Sequence, residues 1–340
     1  MTVSLLESGE ETAWDEYVLE NPSGTFFHLS GWKPVIEKAF GHRTYYLVAR
    51  ERGAIQGVLP LTHVKSALFG SSLISNAFCV RGGVVSHTAD AETALRQHAT
   101  ALAKSLKVGC IEFRSTTTET TWTVKSGVHA NFRRPIEGDD DRNLKAIPRK
   151  QRAVLRKAIA AGLRSEIDSD ATRLHDIYAR SVRRLGTPVF SRRYFQLLKG
   201  QFENQADVVT VIASGKPIAA VMNFYFRDEV LPYYGGGLEE ARHIGGNDFL
   251  YWEVMRRAAE RGCRVFDFGR SKIGTGSHDY KRNWGFEPEP LVYEYLPFDK
   301  EGIPDLNPLN PKYRLAIELW RRLPLPITKL VGPAIVRGIG

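Results

Sequence analysis

In this 340-residue sequence Lys281 follows Tyr280 and stands three positions before Trp284. An ammonium group walled by aromatic rings is partly shielded from water. There it stabilises a developing negative charge more than it would in solvent. The same lysine, beside Arg282 on a short helix, equally fits an ordinary surface position. Asp267 alternates with Phe266 and Phe268 in a strand-like run, so its carboxylate faces away from the two rings. It could orient an amine or act as a base, and we favour slightly a structural pair with Arg270 or Lys272. His278, three residues before Lys281, could shuttle a proton. The stretches Gly269-Arg270-Ser271 and Gly274-Thr275-Gly276-Ser277 form a pliable, donor-rich loop whose backbone can approach a phosphate or sugar. No Gly-Lys-Ser/Thr follows at the spacing of a phosphate loop. His28, His42 and His175 have no partner at metal spacing. Cys79, Cys110 and Cys263 form neither a zinc pattern nor a disulfide framework. No metal is expected, and free cysteines favour a reducing, cytoplasmic setting.

The elements that must position these residues come in two similar sets. With 43% hydrophobic and 25% charged residues the chain has an ordinary globular composition, long enough for about two domains. No apolar run reaches membrane-spanning length, and the start MTVSLLESGEETAW lacks a signal-peptide layout. The first half reads as helices opening near Ser8 and Ser30, strands TYYLVAR and IQGVLPLTHV, a long helix capped by Asp90, and the strand CIEFRS. The second half repeats this order. Helices fall at 171–185 and from Ser191. The strands DVVTVIAS, PIAAVMNFYF and VLPYYGGG come next, then a helix capped by Asn247, then the strand RVFDFG. The echo of Gly109-Cys110 through Arg114-Ser115 in Gly262-Cys263 through Arg270-Ser271 favours an internal duplication. The run Asp139-Asp140-Asp141 reads as a boundary loop.

Charge is uneven. The whole chain carries +9, yet 142–164 and 312–340 together carry +13, so the rest is net negative. The first basic segment reads as a helix after Pro148 bearing Arg152 and Arg156. The second has Leu315, Ile317, Leu319, Trp320 and Leu323 beside its cations, broken by Pro324, Pro326 and Pro333. Such a stretch could lie on an anionic membrane or pack back on the domains.

This element order, with FDFGRSKIGTGSHDYKRNWGFEP (266–288) closing the second half and KQRAVLRKAIAAGL opening it, resembles the GNAT acyltransferase fold, and two such units in tandem resemble the FemAB family of aminoacyl and acyl transferases. The 266–288 stretch is similar to that family's DFGG…G…FKxxFG block. The helix KQRAVLRKAIAAGL is similar to its R..IRKA.K.G segment, and Phe190 to Phe195, with Arg192, to a substrate-side segment. The wording is closest to the branch associated with exosortase (PEP-CTERM) and exopolysaccharide loci. The resemblance implies an α/β (α+β) chain of two tandem GNAT-like domains, at 1–138 and 142–298, with a basic C-terminal arm at 299–340. It implies that Lys281, with Tyr280 and Asp267, serves catalysis, Lys281 polarising an acyl carbonyl or holding the donor. Arg152, Arg156, Arg192, Gly269, Arg270, Ser271 and Trp284 would bind substrate or donor. Arg270 stands where the family has a second glycine and fits an anionic acceptor.

Arg242 to Asn247 resembles the coenzyme A signature R-x-x-G-x-G/A, except that Asn247 closes it; the cap reading is preferred. Three functions follow. One is an acyl- or aminoacyltransferase acting on a cell-envelope or exopolysaccharide glycan precursor, free or lipid-linked. Another is an acetyl-CoA-dependent N-acetyltransferase on a sugar amine. The third is a non-catalytic RNA- or glycan-binding module. No bound cofactor is expected; the donor is aminoacyl-tRNA or acyl-CoA. A tRNA donor would use the 142–164 helix, and DNA is not an expected partner. The expected location is the cytoplasm, with the arm at the inner face of the membrane.

Overall fold

The computed structural model describes residues 1–66, 69–114, 121–299, 303 and 313–340. The chain divides into two compact units. One comprises Met1–Gly127, Leu291–Asn307 and Ile335–Gly340; the other comprises Val128–Pro290 and Pro308–Ala334.

The sheet of the first unit runs Thr2–Leu5, Arg43–Glu51, Ala54–Ser66, Gly70–Ser75, Cys110–Phe113, Tyr293–Pro297, Thr123–Lys125, with Val85–Ser86 alongside Ala54–Ser66. The second sheet runs Arg164–Ile167, Ala206–Ala213, Lys216–Phe226, Glu229–Gly237, Val265–Asp267, His129–Pro135, Ser271–Lys272, with Pro288–Pro290 also on His129–Pro135. Each sheet has one parallel join among the described residues. It lies between Gly70–Ser75 and Cys110–Phe113 in the first, and between Glu229–Gly237 and Val265–Asp267 in the second. A helix makes each crossover, Ala89–Leu106 and Gly246–Glu260, as parallel neighbours require. The order and the position of the parallel join repeat, so the duplicated α/β architecture is present. Ser115, the last residue of the echo, and Lys312, the first cation of the tail, lie outside the described residues.

Several expectations need correction. His129–Pro135 pairs antiparallel with Val265–Asp267, and Tyr293–Pro297 pairs antiparallel with Cys110–Phe113. Each sheet thus takes its sixth strand from beyond the expected limits of 1–138 and 142–298, because backbone hydrogen bonding places the strand, whatever the chain order. Residues 299–340 are not a separate arm, since 308–334 belong to one unit and 335–340 to the other. Asp139 is no loop residue but caps the helix Asp140–Ala146, accepting from the backbone of Asp141 and Arg142. Thr88, not Asp90, caps Ala89–Leu106 by accepting from the Ala91 amide. Ser191 does cap Arg192–Gln201. Pro333 lies inside the helix Leu325–Arg337 and does not break it.

The second core gathers Phe132, Leu155, Ala158, Val221, Val254, Phe266, Trp284 and Phe286 between the sheet and the helices Arg149–Ala160 and Gly246–Glu260. Trp320 joins this unit from the tail. It is buried, and its indole N–H donates to the Thr187 carbonyl at 3.2 Å.

Candidate active site

The parallel join of the second sheet is short. Glu229 faces Val265 and Val230 faces Phe266, and there the pairing ends. Glu229–Gly237 continues for seven more residues with no strand along that edge among the described residues. Its last three residues are glycines, which let other groups approach the backbone closely. A Cβ at Gly237 would lie 2.1 Å from the Asn247 side-chain oxygen. The Gly237 carbonyl accepts from the Arg184 guanidinium at 3.1 Å.

Tyr251, on the helix Gly246–Glu260, reaches across the parting strands. Its ring packs on Phe268, with centroids 4.6 Å apart. Its hydroxyl lies 3.3 Å from where a Gly235 Cβ would be. That hydroxyl has no hydrogen-bond partner among the described residues. Burial, with Asp248 nearby, pushes the phenol up to about 12, so it stays protonated and can donate. Nothing in the sequence singled out Tyr251. The signal was there in the phase of the Asn247 helix, which puts Tyr251 beside Leu250 and Val254, and in the three glycines.

Asp248 was also missed. It sits in the first turn of the same helix, buried, and its Oδ1 accepts from Tyr280 Oη and Trp284 Nε1, each at 3.0 Å, and from Gln151 Nε2. Burial raises its carboxyl above the ordinary value while these donors oppose the rise. An acid in the first turn suits the electropositive start of the helix. Gly245, with φ +71°, is the N-cap, and Asn247 lies within the helix, so the expected Asn247 cap is not formed. The basic helix Arg149–Ala160 closes over this turn, with Ala158 Cβ 3.0 Å from where a Gly245 Cβ would be.

The expected site residues fall into separate groups. Lys281 is 8% exposed and donates to the Gly269 and Arg270 carbonyls at 2.9 and 3.1 Å. Its aromatic neighbours are Phe132 and Phe268, at 5.5 and 5.4 Å; Tyr280 and Trp284 turn instead towards Asp248. Burial lowers the Lys281 ammonium to about 7, against the opposing pull of Asp267. Asp267 accepts from Asn131 Nδ2 at 3.0 Å and from the Gly269 amide at 2.9 Å, which fixes the turn at Gly269 (φ +74°). Ser271 is buried with an unpaired hydroxyl. Arg270 is half-buried, and its charge helps to lower Lys281. His278 is buried edge-on to Phe132, with Nδ1 3.4 Å from Asp279.

The remaining residues do not join this group. Arg192 is exposed and pairs with Asp176 at 3.3 Å. Its helix belongs with Tyr178, Phe195 and Tyr234, on the face of the sheet opposite Gly235 and Tyr251. Arg152 touches the Lys145 carbonyl. Arg149, Lys150, Arg156 and Lys157 are exposed and make no ion pair among the described residues. His28, His42 and His175 are buried on the carbonyls of Gly83, Arg337 and Phe190. No cluster of three or more His, Cys, Asp or Glu among the described residues could hold a metal ion.

A sheet with one parallel join among the described residues, its crossover made by a helix, and the same arrangement in a second unit, is the tandem GNAT architecture. Residues 149–282 match the family described as acetyltransferase (GNAT) domain. Among solved structures the chain is similar to FemX, at 16% identity and a TM-score of 0.67, covering 86% of this chain and 97% of that one. It is similar to L-PGS from Bacillus licheniformis at 12% identity and a TM-score of 0.54, covering 94% and 99%. It is also similar to a tandem GNAT protein from the clavulanic acid biosynthesis pathway, at 15% and 0.53, covering 89% and 99%. No curated protein matches the sequence. The structural likenesses establish the fold. The domain match supports an acyltransferase.

Proposed function

We propose that the second unit transfers an aminoacyl or acyl group from an ester donor to an amine or hydroxyl. The observation that carries this is the parted pair of strands with the free Tyr251 hydroxyl across it. The acceptor nucleophile attacks the donor carbonyl, and its proton leaves as the new bond forms. Tyr251 Oη donates to the oxygen on which negative charge develops. The donor's C–O bond then breaks, and its oxygen takes up a proton. Lys281 serves this centre by holding the 269–270 turn through two carbonyls.

An aminoacyl-tRNA fits the donor role better than acyl-CoA. The Asp248 carboxylate in the first turn and the helix Arg149–Ala160 packed against Gly245 both disfavour a pyrophosphate at that helix start. The unpaired cations of that helix present a surface for a polyanion. The domain match to acetyltransferases keeps acetyl-CoA as the second reading. For the acceptor, the sequence resemblance supports a cell-envelope or exopolysaccharide glycan precursor and the exosortase-associated branch. Incubating the protein with labelled aminoacyl-tRNA or labelled acetyl-CoA, each with a panel of amino sugars and nucleotide-linked sugars, tests the reading. Label in an amide or ester product supports transfer, and the productive donor decides between the two. Binding of tRNA without any turnover would leave only a binding module.

A further inference from the structure

The tail helices Arg314–Arg322 and Leu325–Arg337 each have one face seated on the second unit. Trp320 is buried there, and Ile317 Cγ2 would lie 2.4 Å from a Cβ on Gly186. Thr328 is 1% exposed, and a Cβ on Gly332 would meet the Val189 backbone at 2.9 Å. Lys329 pairs with Asp176 at 2.7 Å.

The opposite faces are apolar and in the open. Leu315 and Leu319, one turn apart, are 68% and 54% exposed; Leu330 is 80% exposed, with Ile327 and Val331 beside it. Soluble surfaces seldom leave this many large aliphatic side chains uncovered on consecutive helices. Around them stand Arg314, Arg321 and Arg322 against the single acid Glu318, which pairs with Arg314 at 3.4 Å, while Lys329 belongs to the seated face. The protein outside its two basic segments is net negative, so the cations are concentrated here and not merely typical of the chain. No described helix is long and apolar enough to cross a membrane.

We propose that this face docks on an anionic lipid surface. The aliphatic side chains enter the boundary between headgroups and acyl chains, and the arginines face anionic headgroups. Charge selects this occupant. A second copy of the chain would bring the same cations against these, whereas an anionic bilayer offers the opposite sign over a wide area. Trp320, one of the apolar residues of that stretch, is excluded as an anchor by its burial; the anchors are Leu319 and Leu330. The proposal is independent of the transfer reaction.

Flotation of the full chain tests it, with vesicles of phosphatidylcholine alone and of phosphatidylcholine with phosphatidylglycerol. The protein should float with the anionic vesicles, lose that binding at high salt, and stay at the bottom with the neutral ones. The double variant L319E/L330E replaces side chains already more than half exposed. It should keep the wild-type circular dichroism and unfolding midpoint while vesicle binding falls by about tenfold or more. Three results would overturn the proposal. They are no flotation with anionic vesicles, undiminished flotation of the variant, and a wild-type dimer that the variant converts to monomer without any vesicle binding.

Discussion

Replacing Lys281 by methionine should change how stability depends on pH. In the folded protein this ammonium is lowered from 10.5 to about 7 by burial; in the unfolded chain it keeps its ordinary value. Between these limits the unfolded state binds one more proton than the folded state, so stability rises with pH. The slope is about 1.4 kcal/mol per pH unit. Below about 7 both states hold the proton and the contribution is flat. Wild type should therefore gain about 2 kcal/mol relative to K281M between pH 7 and pH 9. Methionine has similar length but leaves the Gly269 and Arg270 carbonyls without their donor, a pH-independent cost of about 1–3 kcal/mol. Urea unfolding of both proteins at half-unit steps from pH 6 to 9 measures this, with the difference in free energy plotted against pH. Parallel curves would refute the reasoning, because they would mean that Lys281 is solvated in the folded state.

Changing Arg149, Lys150, Arg156 and Lys157 together to glutamate should weaken aminoacyl-tRNA binding and flatten its salt dependence. Binding isotherms at several salt concentrations would show it, and an unchanged slope would remove that helix from the donor site. Gly236→Ala should destabilise the second unit by about 1–3 kcal/mol, because the new Cβ would lie 2.8 Å from Ser181 Cβ and 3.2 Å from Tyr178 Cα. An unfolding midpoint equal to that of wild type would show that the helix–sheet spacing relaxes more readily than this packing suggests.

Much of this was legible in the sequence, for physical reasons. Helical and strand periodicity report burial on one face, and burial is what the second set of elements repeats; hence the duplication could be read. What periodicity does not carry is pairing between distant strands. The exchange of His129–Pro135 and Tyr293–Pro297 between sheets was therefore invisible. The Lys281 motif was found by spacing, but spacing cannot say where an ammonium points. Neighbours on a short helix diverge by about 100°, so Tyr280 and Lys281 serve different clusters. Asp248 and Tyr251 passed unnoticed because a lone acid and a lone phenol on an apolar helix look like cap and core. Only Gly235 of the facing strand shows that space was left for Tyr251. A tryptophan among cations suits either a membrane interface or packing back on the domains, and burial shows that Trp320 took the second.

The central claim is that acyl transfer occurs where the strands Glu229–Gly237 and Val265–Asp267 part, with the Tyr251 hydroxyl on the reacting carbonyl. Single-turnover transfer from labelled aminoacyl-tRNA by wild type and Tyr251→Phe tests it most directly. Phenylalanine keeps the ring on Phe268 and removes only the donor. The account predicts a rate lower by about a hundredfold or more, with donor binding and the unfolding midpoint unchanged. A rate within severalfold of wild type would contradict it.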